Sequence, residues 1–322
     1  MVYIYFWGTR GSLPASLTAE AVRSKIYRAV KESKTHTFAT EAEIKDFIET
    51  SLPFSVRGSY GCNTSCLEIR SEEEYILCDA GTGLRDFGNY VLKSKDQEKR
   101  KKQLTFHIFM SHLHWDHIQG FPFFAPAYIA GNQVHIYGFH RELEQAFVTQ
   151  QNYPHFPVPL SAMNASIKFH VLKQGHEYEI AGFTIKGMKQ NHPGDSYGYR
   201  FEKDGKIIVY STDSEHRGDA DDERYPFLDF FKDADVLILD AQYSLIDAMY
   251  SKENWGHASN IVGVELSVKA KVKHLCIFHN EPTYDDETLF QFLQDTRRYL
   301  QIYAESYPLK IDLAYDGLQI EL

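Results

Sequence analysis

Residues 112–117 read His-Leu-His-Trp-Asp-His, which places four strong metal ligands within six positions. The run follows an apolar stretch, Leu104 to Met110, that reads as a buried strand. Alternate residues on an extended or tightly looped segment point the same way. His112, His114 and Asp116 can therefore converge on one side, and His117 turns inward as a helix begins. Imidazole nitrogen and carboxylate oxygen suit zinc and similar divalent ions without any cysteine. A single ion rarely takes four ligands from so short a stretch, so two ions sharing the run is the easier solution. The bland alternative is an exposed polar loop. The apolar flanks count against it, because unpaired polar groups there would be costly.

A two-metal site needs further ligands from elsewhere in the chain. Three residues each follow a strand-like run: His192 after Thr184–Lys189, Asp213 after Ile207–Ser211, and His279 after Leu275–Phe278. Ends of neighbouring strands are where a scaffold brings sequence-distant side chains together. The remaining histidines, among them His36, His107, His135, His140, His155, His170, His176, His216 and His274, have no comparable context.

The elements that must position these groups are strands with interspersed helices. Residues 2–7 read as a first strand, and Val22, Ile26, Ala29 and Val30 have helical spacing within 18–33. Thr40-x-x-Glu43 is a capping-box pattern that opens a second helix through Ile44, Phe47 and Ile48. Strand patterning returns at Cys66–Arg70 and Tyr75–Cys78, so residues 15–57 form a helical insertion between neighbouring strands, as a lid, a dimer contact or a passive decoration. Later strands are expected at 167–172, 184–189, 199–202, 207–211, 236–240, 275–278 and 310–315. Helices are expected from about Arg141, over 260–270, and over 286–299. Two sheets with helices packed outside them is the architecture this order suggests.

These motifs resemble the metallo-β-lactamase fold superfamily, whose signature is H-x-H-x-D-H with a later His, Asp and His. The resemblance spans nearly the whole chain, from Gly8-Thr-Arg-Gly11 through Gly61-Cys-Asn-Thr-Ser65 and Cys78-Asp-Ala-Gly-Thr-Gly83 to the segment at His279. Gly256-His-Ala-Ser259 is similar to the Gly-His-Ser-Thr segment of the phosphodiesterase branch. That branch contains the tRNA 3′-end processing nuclease and the phosphoribosyl cyclic phosphodiesterase. The resemblance implies an α/β fold, an αββα sandwich formed by one domain over 1–322 with the helical insertion at 15–57. It implies that His112, His114 and His192 hold one metal, that Asp116, His117 and His279 hold the other, and that Asp213 bridges them. Asp79 would stand behind the ligands and orient a histidine through its other ring nitrogen. His257 would sit beside the scissile phosphate as the acid–base group, with Asp116 also counted in the catalytic set. The cofactors implied are two divalent ions, zinc first and manganese second.

Two departures shape the expected substrate. The nuclease carries a tRNA-gripping arm between its third histidine and bridging aspartate, whereas here Asp213 follows His192 by only 21 positions. The segment at His279 reads His-Asn-Glu-Pro where many relatives have His-His-Asp-Pro. Net charge is −10, and the only dense basic run, Lys93 to Lys102, reads as a solvated hairpin loop. The expectation is a metal-dependent hydrolase of a small phosphodiester, a cyclic nucleotide or cyclic sugar phosphate, with no long nucleic acid as partner. The rivals are a carboxylic ester, lactone or thioester hydrolase on the same core and a non-enzymatic binding module; di-iron redox chemistry would need a flavin domain that does not fit. Aromatic residues make up 14% of the chain; Trp115, Phe121, Tyr197 and Tyr284 flank the motifs as candidate base-stacking rings, with Trp115 the weakest. Arg10 and Asn63 are read either as phosphate contacts or as turn hydrogen bonds.

At 322 residues with 43% apolar content the chain can bury a large core. Cys62, Cys66, Cys78 and Cys276 lack both zinc-knuckle spacing and a disulfide pattern, so buried free thiols are expected. No stretch approaches the ~20 apolar residues that span a bilayer. No membrane association and a cytoplasmic location are the simplest account, and a homodimer is an option that the insertion could build or block.

Overall fold

The computed structural model describes residues 2–70, 74–93, 103–216, 222, 224–243 and 256–322. Within them, β1 (Tyr3–Gly8), β2 (Cys66–Arg70), β3 (Tyr75–Cys78), β4 (Thr105–Phe109), β5 (Gln133–Gly138), β6 (Ser166–Val171) and β14 (Gln319–Glu321) form one sheet in the order β14-β1-β2-β3-β4-β5-β6. A second sheet has the order β13-β12-β11-β10-β9-β8-β7. Its strands are β7 (Glu177–Ile180), β8 (Phe183–Lys189), β9 (Tyr197–Lys203), β10 (Lys206–Ser211), β11 (Val236–Asp240), β12 (His274–Phe278) and β13 (Lys310–Leu313). The sheets pack face to face around Ile4, Phe6, Ile69, Phe109, Tyr199, Phe201, Ile238 and Phe278. Helices cover the outer faces, so the layers run αββα as the sequence implies. The outer side of the first sheet packs Phe106 and Ile108 against Leu84, Phe87, Phe121 and Phe147. The outer side of the second packs Leu237, Leu239 and Leu275 against Val264, Leu266 and Leu289.

Local sequence accounts for the pattern. β11 and β12 are buried at every position, pair in parallel, and are continuous apolar runs, as strands covered on both faces must be. β9 and β10 form an antiparallel hairpin closed by Asp204-Gly205, both at positive φ (51° and 73°), as a tight two-residue turn requires. β3 and β4 are parallel, so they cannot be joined by a hairpin. The chain crosses between them through α4 (Gly83–Lys93), and the expected basic hairpin is corrected on that ground. The rest of that basic run, 94–102, lies outside the described residues.

Between β1 and β2 lie α1 (Ala19–Ser33), α2 (Glu41–Thr50) and α3 (Phe54–Arg57). Thr18 caps α1 by accepting from the Ala21 amide at 3.1 Å, and Thr40 caps α2 by accepting from the Glu43 amide at 3.3 Å. The apolar stripe that marks α1 faces outward: Val22, Ile26 and Val30 are exposed, and no residue of the helix is buried. Polar contacts hold the helix instead. Lys25 Nζ lies 2.7 Å from Asp286 Oδ2, and Arg28 Nη1 lies 2.6 Å from Glu287 Oε2. All four cysteines are free, three of them buried and Cys62 half-buried. Among the described residues no helix is long and apolar enough to cross a membrane.

Candidate metal centre

Parallel pairing puts the carboxyl ends of β3 and β4 at one end of the first sheet and those of β10, β11 and β12 at one end of the second. Every predicted site residue lies at or just past a strand end or in a following loop. Asp79 follows β3, the His112–His117 run follows β4, Asp213 follows β10 and His279 follows β12. Asp79, Asp213 and His279 all have left-handed backbones, with φ of 60°, 51° and 62°. That conformation turns each side chain off the strand line at a cost of about 1–2 kcal/mol for an L-residue. Asp116 and His117 sit on the single turn α5 (Trp115–Ile118), which lets both point inward while His114 caps it.

Two triads result. One ligand atom each from His112, His114 and His192 lie within 4.8 Å of one another, and so do those of Asp116, His117 and His279. Asp213 stands between them with one oxygen toward each. Its Oδ2 is 3.6 Å from His112 Nε2 and 3.7 Å from His192 Nε2. Its Oδ1 is 3.4 Å from His117 Nε2 and 3.3 Å from His279 Nε2. Asp116 Oδ2 lies 3.2 Å from Nε2 of both His117 and His279 and also accepts from the Ser12 amide at 2.8 Å.

The groups behind these rings fix which nitrogen faces the centre. Buried Asp79 accepts from the Ser111 amide and hydroxyl, each at 2.7 Å, from Tyr210 Oη at 2.6 Å and from His117 Nδ1 at 2.7 Å. With its proton on Asp79, Ser111 Oγ can accept from His112 Nδ1 at 3.1 Å. His192 Nδ1 donates to the Gly256 carbonyl at 2.9 Å. His112, His117 and His192 are thereby left with bare Nε2 lone pairs aimed inward. His117 Nε2 is buried without a hydrogen-bond donor and faces two carboxylate oxygens, a repulsive arrangement unless a cation lies between. The donor set therefore fits divalent metal, and the nitrogen-rich chemistry fits zinc.

Without a bound cation a proton takes its place: burial would lower His117, yet Asp116, Asp213 and Asp79 raise it well above the ordinary imidazole range. Burial alone would raise the Asp213 carboxyl, yet His279, His117 and His112 hold it well below the usual range. Asp116 is likewise held down, against burial, by His117 and His279. Burial, and then neighbouring His117, lowers His112 far below an ordinary imidazole.

His257 lies beside both triads, its ring centroid 5.2 Å from that of His192 and 5.1 Å from that of His279. Its Nδ1 donates to Asp240 Oδ2 at 2.6 Å. Burial disfavours its charge, but Asp240, together with Asp213 and Asp116, pushes it up to about 9. Asp240 is the candidate site residue that the sequence reading does not name. It ends β11, is fully buried, and also accepts from the Gln242 amide at 3.1 Å. Its only sequence signal is a carboxylate closing an apolar strand.

Other candidates resolve as packing. Arg10 is 3% exposed, and its guanidinium donates to the carbonyls of Gly61, Glu281 and Tyr284. Asn63 donates to the Trp7 carbonyl and to Asp86. These bonds tie sequence-distant loops together rather than closing local turns. Phe121 and Tyr197 are buried, and Tyr284 packs partly against the helical core. Trp115, ranked last from sequence, is the exposed one.

Residues 74–280, more than half of the chain, match the family model described as the Beta-lactamase superfamily domain. The chain belongs to the beta-lactamase superfamily. Among superfamily relatives, Ribonuclease Z of Crocosphaera subtropica is 26% identical over 300 residues, covering 78% of this chain and 91% of that protein. The fold is shared with the metallo-beta-lactamase fold protein YhfI of Bacillus subtilis, at TM-score 0.65 and 18% identity, covering 100% of this chain and 99% of the other. It is shared also with a diphosphatase from the PhnP family, at TM-score 0.60 and 18% identity, covering 100% and 98%. The Ribonuclease Z relatives are among those the sequence motifs resemble, and the two solved structures share the fold.

Proposed function

We propose that the chain is a metal-dependent hydrolase that cleaves phosphodiesters, and that its substrate is small, a cyclic nucleotide or cyclic sugar phosphate. One observation carries the reading: two ligand triads share Asp213, and a histidine held by a buried carboxylate stands beside both. His112, His114 and His192 would hold one ion, Asp116, His117 and His279 the other, and Asp213 both. Zinc is the first choice and manganese the second. Bound divalent ions supply Lewis acidity toward phosphoryl oxygens and a nucleophile at neutral pH. The chain's own residues do the rest. Asp79 and Ser111 fix the imidazoles so that the charge is in place before substrate arrives. Asp240 holds Nδ1 of His257, so the other ring nitrogen is the one free to protonate the leaving alkoxide. The short β9–β10 hairpin between His192 and Asp213 leaves no room for an RNA-gripping arm there, which favours a small substrate.

An RNA end is the second reading, favoured by the Ribonuclease Z relatives. The test is turnover of 2′,3′- and 3′,5′-cyclic nucleotides, cyclic sugar phosphates and a tRNA precursor by zinc- or manganese-loaded protein, with a chelated control. Ring opening without tRNA cleavage supports the first reading, and tRNA cleavage alone supports the second. If neither phosphodiester class is cleaved while carboxylic esters, lactones or thioesters are, the phosphodiesterase assignment is wrong.

A further inference from the structure

An imidazole that offers Nε2 to a cation carries its proton on Nδ1, and that N–H needs an acceptor behind it. Asp79 serves His117, Ser111 serves His112, and the Gly256 carbonyl serves His192. His279 turns Nε2 to Asp116 and Asp213, at 3.2 and 3.3 Å. Its Nδ1, however, is buried with no hydrogen-bond partner among the described residues. A buried N–H left in that state is costly, so an acceptor close to the ring would relieve it. Gln242 is only 3% exposed, and its Oε1 is likewise buried without a partner among the described residues.

Gly11 brings the two groups to one place. A Cβ built on it would lie 2.4 Å from His279 Nδ1 and 2.9 Å from Gln242 Nε2. Ring and carboxamide therefore border the same small space, which the missing side chain leaves free. Both backbones there are pinned: the Gly11 amide donates to the Asn280 carbonyl at 3.0 Å, and the Gln242 amide donates to Asp240 Oδ1 at 3.1 Å. The carboxamide borders the space with its nitrogen, and a half-turn about its last bond sets the oxygen there with no change of shape. We infer that Gln242 is the positioning residue of His279: its Oε1 accepts the Nδ1 proton and keeps Nε2 bare toward Asp116 and Asp213. The end of β11 thus supplies two holders, Asp240 for His257 and, two positions on, Gln242 for His279. This inference rests on the metal-dependent reading above.

The test compares two variants of the full chain with wild type. Gln242→Met keeps the length of the side chain without the acceptor, and Gln242→Glu keeps both shape and acceptor. Chelator competition should show zinc held about 10–100-fold more weakly in Gln242→Met and close to wild type in Gln242→Glu. A second readout follows the bond itself. With isotope-labelled histidine, the NMR signal of His279 Nδ1–H, assigned by its loss in His279→Gln, should move upfield and exchange faster with water in Gln242→Met. In Gln242→Glu it should move downfield, because a carboxylate is the stronger acceptor. A side chain that merely fills space predicts equal zinc loss in the two variants, or in neither, and a signal unmoved in Gln242→Met; any of these overturns the assignment. If wild type binds neither zinc nor manganese, the metal-dependent reading falls, and the Nδ1–H signal of the metal-free protein still decides on Gln242.

Discussion

Asp79 shows how much of the candidate site rests on a buried residue set behind the ligand rings. Four donors converge on one buried carboxylate, and one of them is a ring nitrogen of His117. Asp79→Asn should weaken divalent metal binding about 10–100-fold, measured by chelator competition, because the amide cannot accept from all four donors. Asp213→Ala should abolish metal binding and activity together, since both triads lose a ligand. A different residue should contribute to acid sensitivity. His216 is buried against Phe227 and Phe231, with Nδ1 2.7 Å from Tyr225 Oη, and burial lowers its imidazole to about 3. Unfolded, the same ring takes up a proton near 6.5. Between those values the unfolded chain binds more protons, so this residue's contribution to stability is whole above pH 6.5 and declines as pH falls. The slope reaches about 1.4 kcal/mol per pH unit. His216→Phe should flatten the fall of Tm between pH 6.5 and 4; an unchanged slope would assign acid lability to other groups.

Elements make these residues meet, and two sequence-distant ones form a hydrogen-bonded pair. Asp240 closes β11, and His257 precedes the Ser259-capped helix Asn260–Lys269. Asp240→Asn and His257→Ala should both leave metal content intact, with turnover in His257→Ala down by about 10²–10⁴ and Asp240→Asn within tenfold of it. Loss of metal in either would make the pair structural. The turn that follows α5 is constrained by packing: a Cβ on Gly120 would lie 1.9 Å from the Gly81 carbonyl oxygen. Gly120→Ala should therefore cost about 1–3 kcal/mol and lower metal occupancy, read by thermal melting and metal analysis. What was legible follows the same logic. β11, β12 and the His112–His117 loop were readable because apolar runs and ligand spacing are local signals. β5, β7, β14 and α4 were not. β7 is a short polar-alternating edge strand, and β14 has three residues that become a strand only by pairing with β1. Asp240 was missed because its meaning depends on a partner 17 residues away.

At the scale of the whole molecule, α1 is docked by charge and presents its apolar edge to solvent. Replacing Val22, Ile26 and Val30 together with Glu should leave Tm nearly unchanged, because exposed positions usually tolerate substitution within about 0.5 kcal/mol each. Lys25→Ala, which leaves the buried carboxylate of Asp286 without its cation, should cost about 3 kcal/mol and make residues 12–58 susceptible to limited proteolysis. The outward stripe also shows why periodicity finds this helix without orienting it: spacing reports amphipathicity, and only packing decides which side is wet. The sheet order carries one more consequence, and it concerns time. Ile4 pairs with Ile320, so the first sheet gains its last strand only after almost the entire chain exists. At about 5–20 residues per second, β1 waits roughly 15–60 s during synthesis with one edge open. His279 follows His117 by 162 residues, roughly 8–32 s at the same rate, with His192 and Asp213 made in between. The nascent chain therefore passes through a period in which the candidate ligand loop exists before the group that includes His279 can form.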